Sequence, residues 1–289
     1  MDFSIVIPFY NRLEDLSACL ESLTRLRYEW DRIEVILVDD GGRQQAGELV
    51  SRFADRLPIS LLRQEHAGPG AARNLGANHA RGKWLAFTDS DCTPAEDWLE
   101  RLASALDSSA DLAVGGRVVN TLSNIFSVAS QWQTNYLISY FGASPGRRGF
   151  FTTNNFAVPR RSFLAAGGFD AGFRQAGGED REFCYRWSTL GRQFRWAPDA
   201  VVYHQHRLTW TGFCRQHFHY GRGAWRYWNL RGQRSRFLQG DLRVYCDLLW
   251  KPLSIRPLPR GMAVALLQAV SQAAIAAGYC VEAWSARRV

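Results

Sequence analysis

Two hydrophobic periods alternate along the first ninety residues. Residues 3–9, Phe-Ser-Ile-Val-Ile-Pro-Phe, form a short apolar run that predicts a buried strand. Leu13, Leu16, Leu20 and Leu23 then recur at three- and four-residue spacing, which predicts a helix over 13–24. Residues 33–40 read as a second strand, closing on two acids just before Gly41 and Gly42. A helix over 48–57, a strand at 59–63, a helix from 68 to about 79 and a strand over 83–91 follow, the last again ending in acids. Strands spaced by helices predict an α/β protein with a mostly parallel sheet and right-handed crossovers. Ligands bind beyond the carboxyl ends of such strands, where Asp39, Asp40, Asp89 and Asp91 would lie.

Past residue 115 the pattern is less regular. Strand-like pieces occupy 113–119 and 150–158, a Gly-rich loop 144–149, a helix 179–189 and a short strand 200–203. From 208 onward Trp, Tyr and Phe interleave with arginines. Pro252, Pro257 and Pro259 then interrupt the chain before a last helix over 262–284. On that helix Ala263, Leu267, Val270, Ala274, Ala277, Val281 and Trp284 make one apolar stripe. Core packing is the expected use of the stripe; a second subunit or a membrane surface are the alternatives. The organisation expected is a first half at 1–115, a second half of the same domain at 116–206, and a basic, aromatic-rich helical extension at 207–289.

Composition adds a location for the charge. With 46% apolar and 21% charged residues over 289, the chain is globular rather than disordered or fibrous. Its net charge is +8, yet residues 1–200 hold 22 basic and 24 acidic side chains, and 201–289 hold 13 and 3. The surplus therefore belongs to the tail, where arginine and aromatic rings suit an anionic lipid layer or a single-stranded nucleic acid. Six cysteines without a CxxC pair argue against a thiolate zinc site and for reduced thiols in a cytoplasmic protein. The apolar run at 3–9 is too short for a signal peptide, and Gln268, Ser271 and Gln272 interrupt the nearest candidate span at 261–281.

The acids carry the candidate chemistry. Asp89 and Asp91, two residues apart at a strand end, offer hard oxygens to Mg²⁺ or Mn²⁺; solvated turn acids are the other reading. Asp39 and Asp40 end the second strand, where an acid accepts from a base N–H or a ribose hydroxyl. Glu179 and Asp180 open a helix after two glycines. One acid there suffices as a cap, and the other suits a general base. His204 and His206 alternate past a strand, so an imidazole could complete the coordination of an ion at Asp91. His217 and His219 carry no catalytic assignment.

Taken in order, Ser4-Ile-Val-Ile-Pro-Phe-Tyr-Asn11, Val38-Asp-Asp-Gly41, Gly68-Pro-Gly-Ala-Ala-Arg-Asn74, Asp89-Ser-Asp91, Gly167-Gly-Phe-Asp170 and Gly178-Glu-Asp180 resemble the family 2 glycosyltransferases over about 1–206. Gly42 departs from a common serine, and Phe9 from a small residue. The resemblance implies a GT-A fold, with a Rossmann-like sheet flanked by helices and a C-terminal helical extension. It implies a hexosyltransferase using a nucleotide-diphosphate sugar, UDP-sugars foremost, with Mn²⁺ or Mg²⁺. Pro8, Tyr10 and Asn11 would line the base and ribose pocket. Asp40 would accept from the base, with Asp39 nearby. Arg73, with Asn74, would sit by the base or diphosphate, and Asp89 by ribose or sugar. Asp91 and His204 would hold the metal, with Asp89 and His206 as second choices. Asp180 would be the catalytic base, Glu179 beside it.

The reading that follows is an inverting, metal-dependent transfer to a hydroxyl of a glycan or lipid-linked acceptor. Its setting would be polysaccharide or glycolipid synthesis at a bacterial cell envelope. The enzyme would be cytoplasmic, peripheral on the inner membrane face through 207–289, with homodimerisation open and no nucleic-acid partner. Two other classes stand beside it. A non-catalytic nucleotide- or nucleic-acid-binding protein would not need Asp180. A nucleotidyltransferase would want a Gly-rich, Lys-bearing phosphate loop near the start.

Overall fold

The computed structural model describes residues 1–106, 111–142, 149–232 and 242–287. Residues 144–148 of the expected Gly-rich loop and 233–241 of the basic segment lie outside these. The predicted alternation is present as β1 (Phe3–Phe9), α1 (Leu13–Leu23), β2 (Ile33–Asp39), α2 (Gly47–Ser51), β3 (Ile59–Arg63), α3 (Pro69–His79) and β4 (Trp84–Phe87). Helix α2 stops at Ser51, short of the expected 57, because the buried Phe53 and Leu57 sit in turns rather than on a helical face. Strand β4 stops at Phe87, where its antiparallel partner β7 (Phe156–Pro159) runs out, so Asp89 and Asp91 lie in a loop.

The remaining elements of this part are β5 (Cys92–Pro94), α4 (Trp98–Ala105), β6 (Leu112–Asn120), α5 (Ile125–Phe141), α6 (Arg160–Ala165), α7 (Glu179–Thr189) and β8 (Gln193–His204). Helices α4 and α5 and strand β5 escape the sequence pattern. The strand expected at 150–158 is confined to β7, with a 3₁₀ turn before it, while that expected at 200–203 lengthens into β8. One sheet has the order β3-β2-β1-β4-β7-β6-β8-β5. Strands β3 to β4 pair parallel in that order, as do β6 and β8, and β7 and β5 pair antiparallel to their neighbours. Every residue of β2 is buried, and all of β1 but Pro8, which is why both read as nearly unbroken apolar runs.

The chain divides into two compact units, Met1–Thr121 with Tyr140–Arg174 and Asp180–Gln205, and Leu122–Ser139 with Gln175–Glu179 and His206–Val289. The first holds the sheet. The second holds most of α5 with α8 (Trp210–Leu230), α9 (Leu242–Trp250) and α10 (Leu258–Ser285). Helices α8 and α10 meet through glycines. A Cβ on Gly221 would lie 2.0 Å from the Ile275 carbonyl oxygen, and one on Gly278 1.9 Å from that of Phe218.

The face of α10 that packs inward shares only Leu267 with the predicted stripe. It is Gly261, Val264, Leu267, Gln268, Ser271 and Gly278, whereas Val281 and Trp284 are exposed. Packing follows the glycines and small polar groups that let helices approach, which a hydropathy pattern does not register.

Helix α8 buries His217, 1% exposed, against Phe213 with ring centroids 4.2 Å apart. Burial pushes its pKa down to about 4, against a partial upward pull from the Phe213 carbonyl 2.8 Å from Nδ1. Between pH 6.5 and 4 the unfolded chain binds a proton that the folded chain refuses, so stability falls as pH drops through that window. The expected loss is about 3 kcal/mol. Urea denaturation midpoints at pH 7 and pH 4.5 check it: His217→Phe should show a smaller pH dependence than the parent. Equal dependence in both would remove His217 as its source.

Candidate active site

Strands β2, β1 and β4 are neighbours, so their carboxyl ends bring Asp39 and Asp40, Tyr10 and Asn11, and Asp89 to one edge of the sheet. An open cleft of about 540 Å³ lies there, lined by Gly41, Arg63, Gln64, Glu65 and His66. Half-exposed Tyr10 packs on His66, ring centroids 4.5 Å apart and tilted by 31°. The pair presents aromatic surface of the kind on which a base stacks.

The acids of β2 are buried and largely committed. Asp40 accepts at Oδ1 from Gln64 Nε2 (2.7 Å) and Ala67 N (2.9 Å), and at Oδ2 from Gly68 N (3.0 Å), with His66 Nδ1 2.9 Å from Oδ2. It thereby shapes the 64–68 loop that walls the cleft. Asp39 accepts from Gly42 N at 3.0 Å and lies 3.5 Å from Arg63 Nη1, a cleft residue. Asn11, at φ 60, accepts from Arg43 N and Gln44 N, while Gln44 Oε1 accepts from Arg12 N and Leu13 N. This reciprocal clamp holds the loop after β2 against the start of α1. Pro8 is half-buried beside Val38. Asn74 is occupied elsewhere, donating to the Phe169 carbonyl (2.7 Å) and accepting from Phe169 N (2.8 Å).

Five residues gather past β4. Arg73, buried on α3, donates through Nη2 to Asp89 Oδ1 at 2.5 Å. Two residues on, Asp91 Oδ1 lies 3.4 Å from His204 Nε2. The pairing of β5 with β8 sets Cys92 opposite His204, so Asp91, Cys92 and His204 each offer a ligand atom within 4.8 Å of the others. Burial alone would lower the His204 pKa; the carboxylates of Asp91 and Asp89 raise it above that of an ordinary imidazole. Burial, with Asp91 and Asp89 adding, pushes the Cys92 thiol far up.

A carboxylate oxygen and an imidazole nitrogen fit Mn²⁺ or Mg²⁺, which keep open positions for diphosphate oxygens. Their spacing is near the ~3 Å that separates adjacent ligands of an octahedral ion bound at about 2.1 Å. His206 belongs to the second unit, where its carbonyl accepts from Ser127 Oγ at 2.6 Å.

The acids opening α7 divide their work. Gly177 and Gly178 take φ of 125° and 103°, conformations open to glycine. Glu179, 4% exposed, folds back to accept from Gly177 N at 2.9 Å. The half-buried Asp180 accepts from Arg181 N at 2.7 Å, at the helix N-terminus. One acid closes the loop and the other, half-buried, opens the helix.

His66, Gln64 and Cys92 were not singled out from the sequence. The signal for His66 is local, a ring three residues before Pro69 of the Pro-Gly-Ala-Ala-Arg stretch; that for Cys92 depends on strand pairing and is not local.

Residues 4–179 match the family model described as "Glycosyl transferase family 2". The "Glycosyltransferase AglE" of Haloferax volcanii is 29% identical over 89% of this chain and 82% of its own. The "Chondroitin synthase" of Escherichia coli is 30% identical over 70% of this chain, but the chain spans only 34% of that relative. Among solved structures, a mannosyltransferase from Pyrobaculum calidifontis in complex with GDP-Man and Mn²⁺ superposes with a TM-score of 0.65 at 19% identity, over 98% of this chain and 87% of the other.

Proposed function

The chain belongs to glycosyl transferase family 2 and is a glycosyltransferase of GT-A fold, and from that premise we propose that it performs a single inverting displacement from a nucleotide-diphosphate sugar to a hydroxyl acceptor. The acceptor is a glycan or a lipid-linked sugar in cell-surface polysaccharide or glycolipid synthesis. The observation that carries the reading is the Asp91–His204 pair, set beside the Arg73–Asp89 pair. Both lie past β4, two strands from the β2 end that borders the cleft at Gly41–His66.

In this reading Tyr10 and His66 stack the base, Pro8 backs it, and Asn11 and Asp40 hold the two loops of the pocket. Asp40, with Asp39 beside it, is also the acid that accepts from the base. Arg73 holds Asp89 oriented toward the ribose or sugar. Asp91 and His204 hold the metal, and bound Mn²⁺ or Mg²⁺ supplies neutralisation of the charge on the diphosphate. Asp180 takes the acceptor proton as the acceptor oxygen attacks the anomeric carbon. Glu179 keeps the loop before it closed. The basic, aromatic-rich tail holds this cytoplasmic enzyme at the inner face of the membrane.

A thermal-shift panel of nucleotide sugars with Mn²⁺ tests it. A hundredfold excess over Kd should stabilise the folded state by about 2.7 kcal/mol, or roughly 5 to 10 °C in a chain of this size. No shift with any UDP-, GDP- or dTDP-sugar would overturn the donor reading.

A further inference from the structure

Helix α10 is built the wrong way round for a helix that faces water. An 18-residue window of it has a mean hydropathy of 1.6, yet only 28% of that window is buried. No charged residue occurs from 261 to 281. Its polar residues turn inward: Gln268 and Ser271 are wholly buried, with Gln268 Nε2 donating to the Ala129 carbonyl at 2.9 Å and Ser271 Oγ to Gln133 Oε1 at 3.1 Å. Its large apolar residues turn outward, with Met262 57%, Leu266 67% and Trp284 56% exposed, alongside Leu258 and Val281. Four exposed alanines fill the interval between Leu266 and Val281.

At 100° per residue these positions share an arc of about 140° and a length of about 39 Å. A soluble surface helix shows the opposite arrangement. Helix α5 repeats the inversion in part, burying Ser127, Ser130, Gln131 and Gln133.

Charge selects among occupants. Exposed Arg256 and Arg260 stand at the start of α10 and exposed Arg287 just past its end. Residues 207–260 carry 11 basic and 2 acidic side chains. An apolar strip framed by arginines complements an anionic bilayer, acyl chains against the strip and phosphates against the guanidinium groups. Crossing the bilayer is disfavoured by α8. It lies against α10 at Gly221 and Gly278, and would carry Arg215, Arg222 and Arg226 into hydrocarbon.

We propose that the outward face of α10, through Met262, Leu266 and Trp284, lies in the plane of an anionic lipid bilayer as the membrane-docking surface of this enzyme. This rests on the reading of the tail as a membrane contact and names the face and the lipid that make it.

The test is co-sedimentation of the full chain with vesicles of phosphatidylcholine alone or with one-third phosphatidylglycerol. The parent should bind the anionic vesicles and show Trp quenching by brominated acyl chains that diminishes in Trp284→Phe. The double variant Met262→Asp/Leu266→Asp, at exposed positions, should keep its melting temperature and its donor-induced thermal shift while its vesicle partitioning falls roughly 30-fold or more. Unchanged partitioning in the double variant would overturn the face assignment and leave the membrane reading standing. A parent indifferent to both vesicles would overturn both. A dimer seen by light scattering that the same variant dissolves, without vesicle binding, would assign the face to a second copy and overturn the proposal.

Discussion

Asp180→Asn should lower the rate of sugar transfer about a thousandfold, the middle of the range for loss of a general base, while donor affinity stays within about threefold of the parent. The amide keeps the size of the carboxylate and can still accept from Arg181 N, as Asp180 Oδ1 does at 2.7 Å, so the helix start should survive. It cannot take a proton from the acceptor hydroxyl. Initial rates and calorimetric titration of the donor separate the two effects.

The neighbouring acid supplies the control. Glu179→Gln keeps an oxygen for Gly177 N, so the loop closes and transfer should continue at a rate near the parent's. If Asp180→Asn turned over normally, or if Glu179→Gln were the dead variant, the assignment of roles would be reversed or lost.

Asp91→Ala should abolish the response to divalent ions. In the parent, chelation should stop transfer and added Mn²⁺ or Mg²⁺ should restore it. In the variant neither treatment should matter, against a residual rate about a thousandfold down. The structural ground is the Asp91 Oδ1–His204 Nε2 distance of 3.4 Å, with Asp89 turned instead to Arg73 at 2.5 Å. Titration of Mn²⁺ followed by electron paramagnetic resonance reads binding without turnover. It should show bound ion with UDP in the parent and free ion in Asp91→Ala. Full activity of the parent in chelator would overturn metal dependence.

The two variants test different ends of one reaction. The first removes the proposed proton acceptor on the acceptor side, the second the proposed metal ligand on the diphosphate side. Both residues lie in the sheet-bearing unit.

Much of the candidate site's placement is legible in the sequence. Asp39, Asp40, Asp89 and Asp91 follow strands whose apolar runs are unmistakable, and a parallel sheet aims such ends at one edge. Glu179 and Asp180 stand at a helix start marked by two glycines. What stayed hidden was which atoms were already engaged. Asp40 and Asn74 read as ligand contacts; in the fold Asp40 also holds the 64–68 loop and Asn74 also holds Phe169. Those partners are 24 to 95 residues away in the chain, beyond any local pattern.

By itself the amino-acid sequence determined the α/β alternation, the acids that end its strands, and the concentration of positive charge in the tail. These follow from periodicity and position, which are local properties. Only the tertiary structure decided three further matters. It set Cys92 beside Asp91 and His204, because β5 pairs with β8 across more than a hundred residues. It buried Glu179 against the Gly177 N–H and left Asp180 half-buried at the helix start, because the Gly177 loop folds back onto Glu179. And it turned the polar face of α10 inward, because Gln133 and the Ala129 carbonyl on another helix hydrogen-bond Ser271 and Gln268 there. A hydropathy pattern says how apolar each face of a helix is; which face is covered depends on what packs against it.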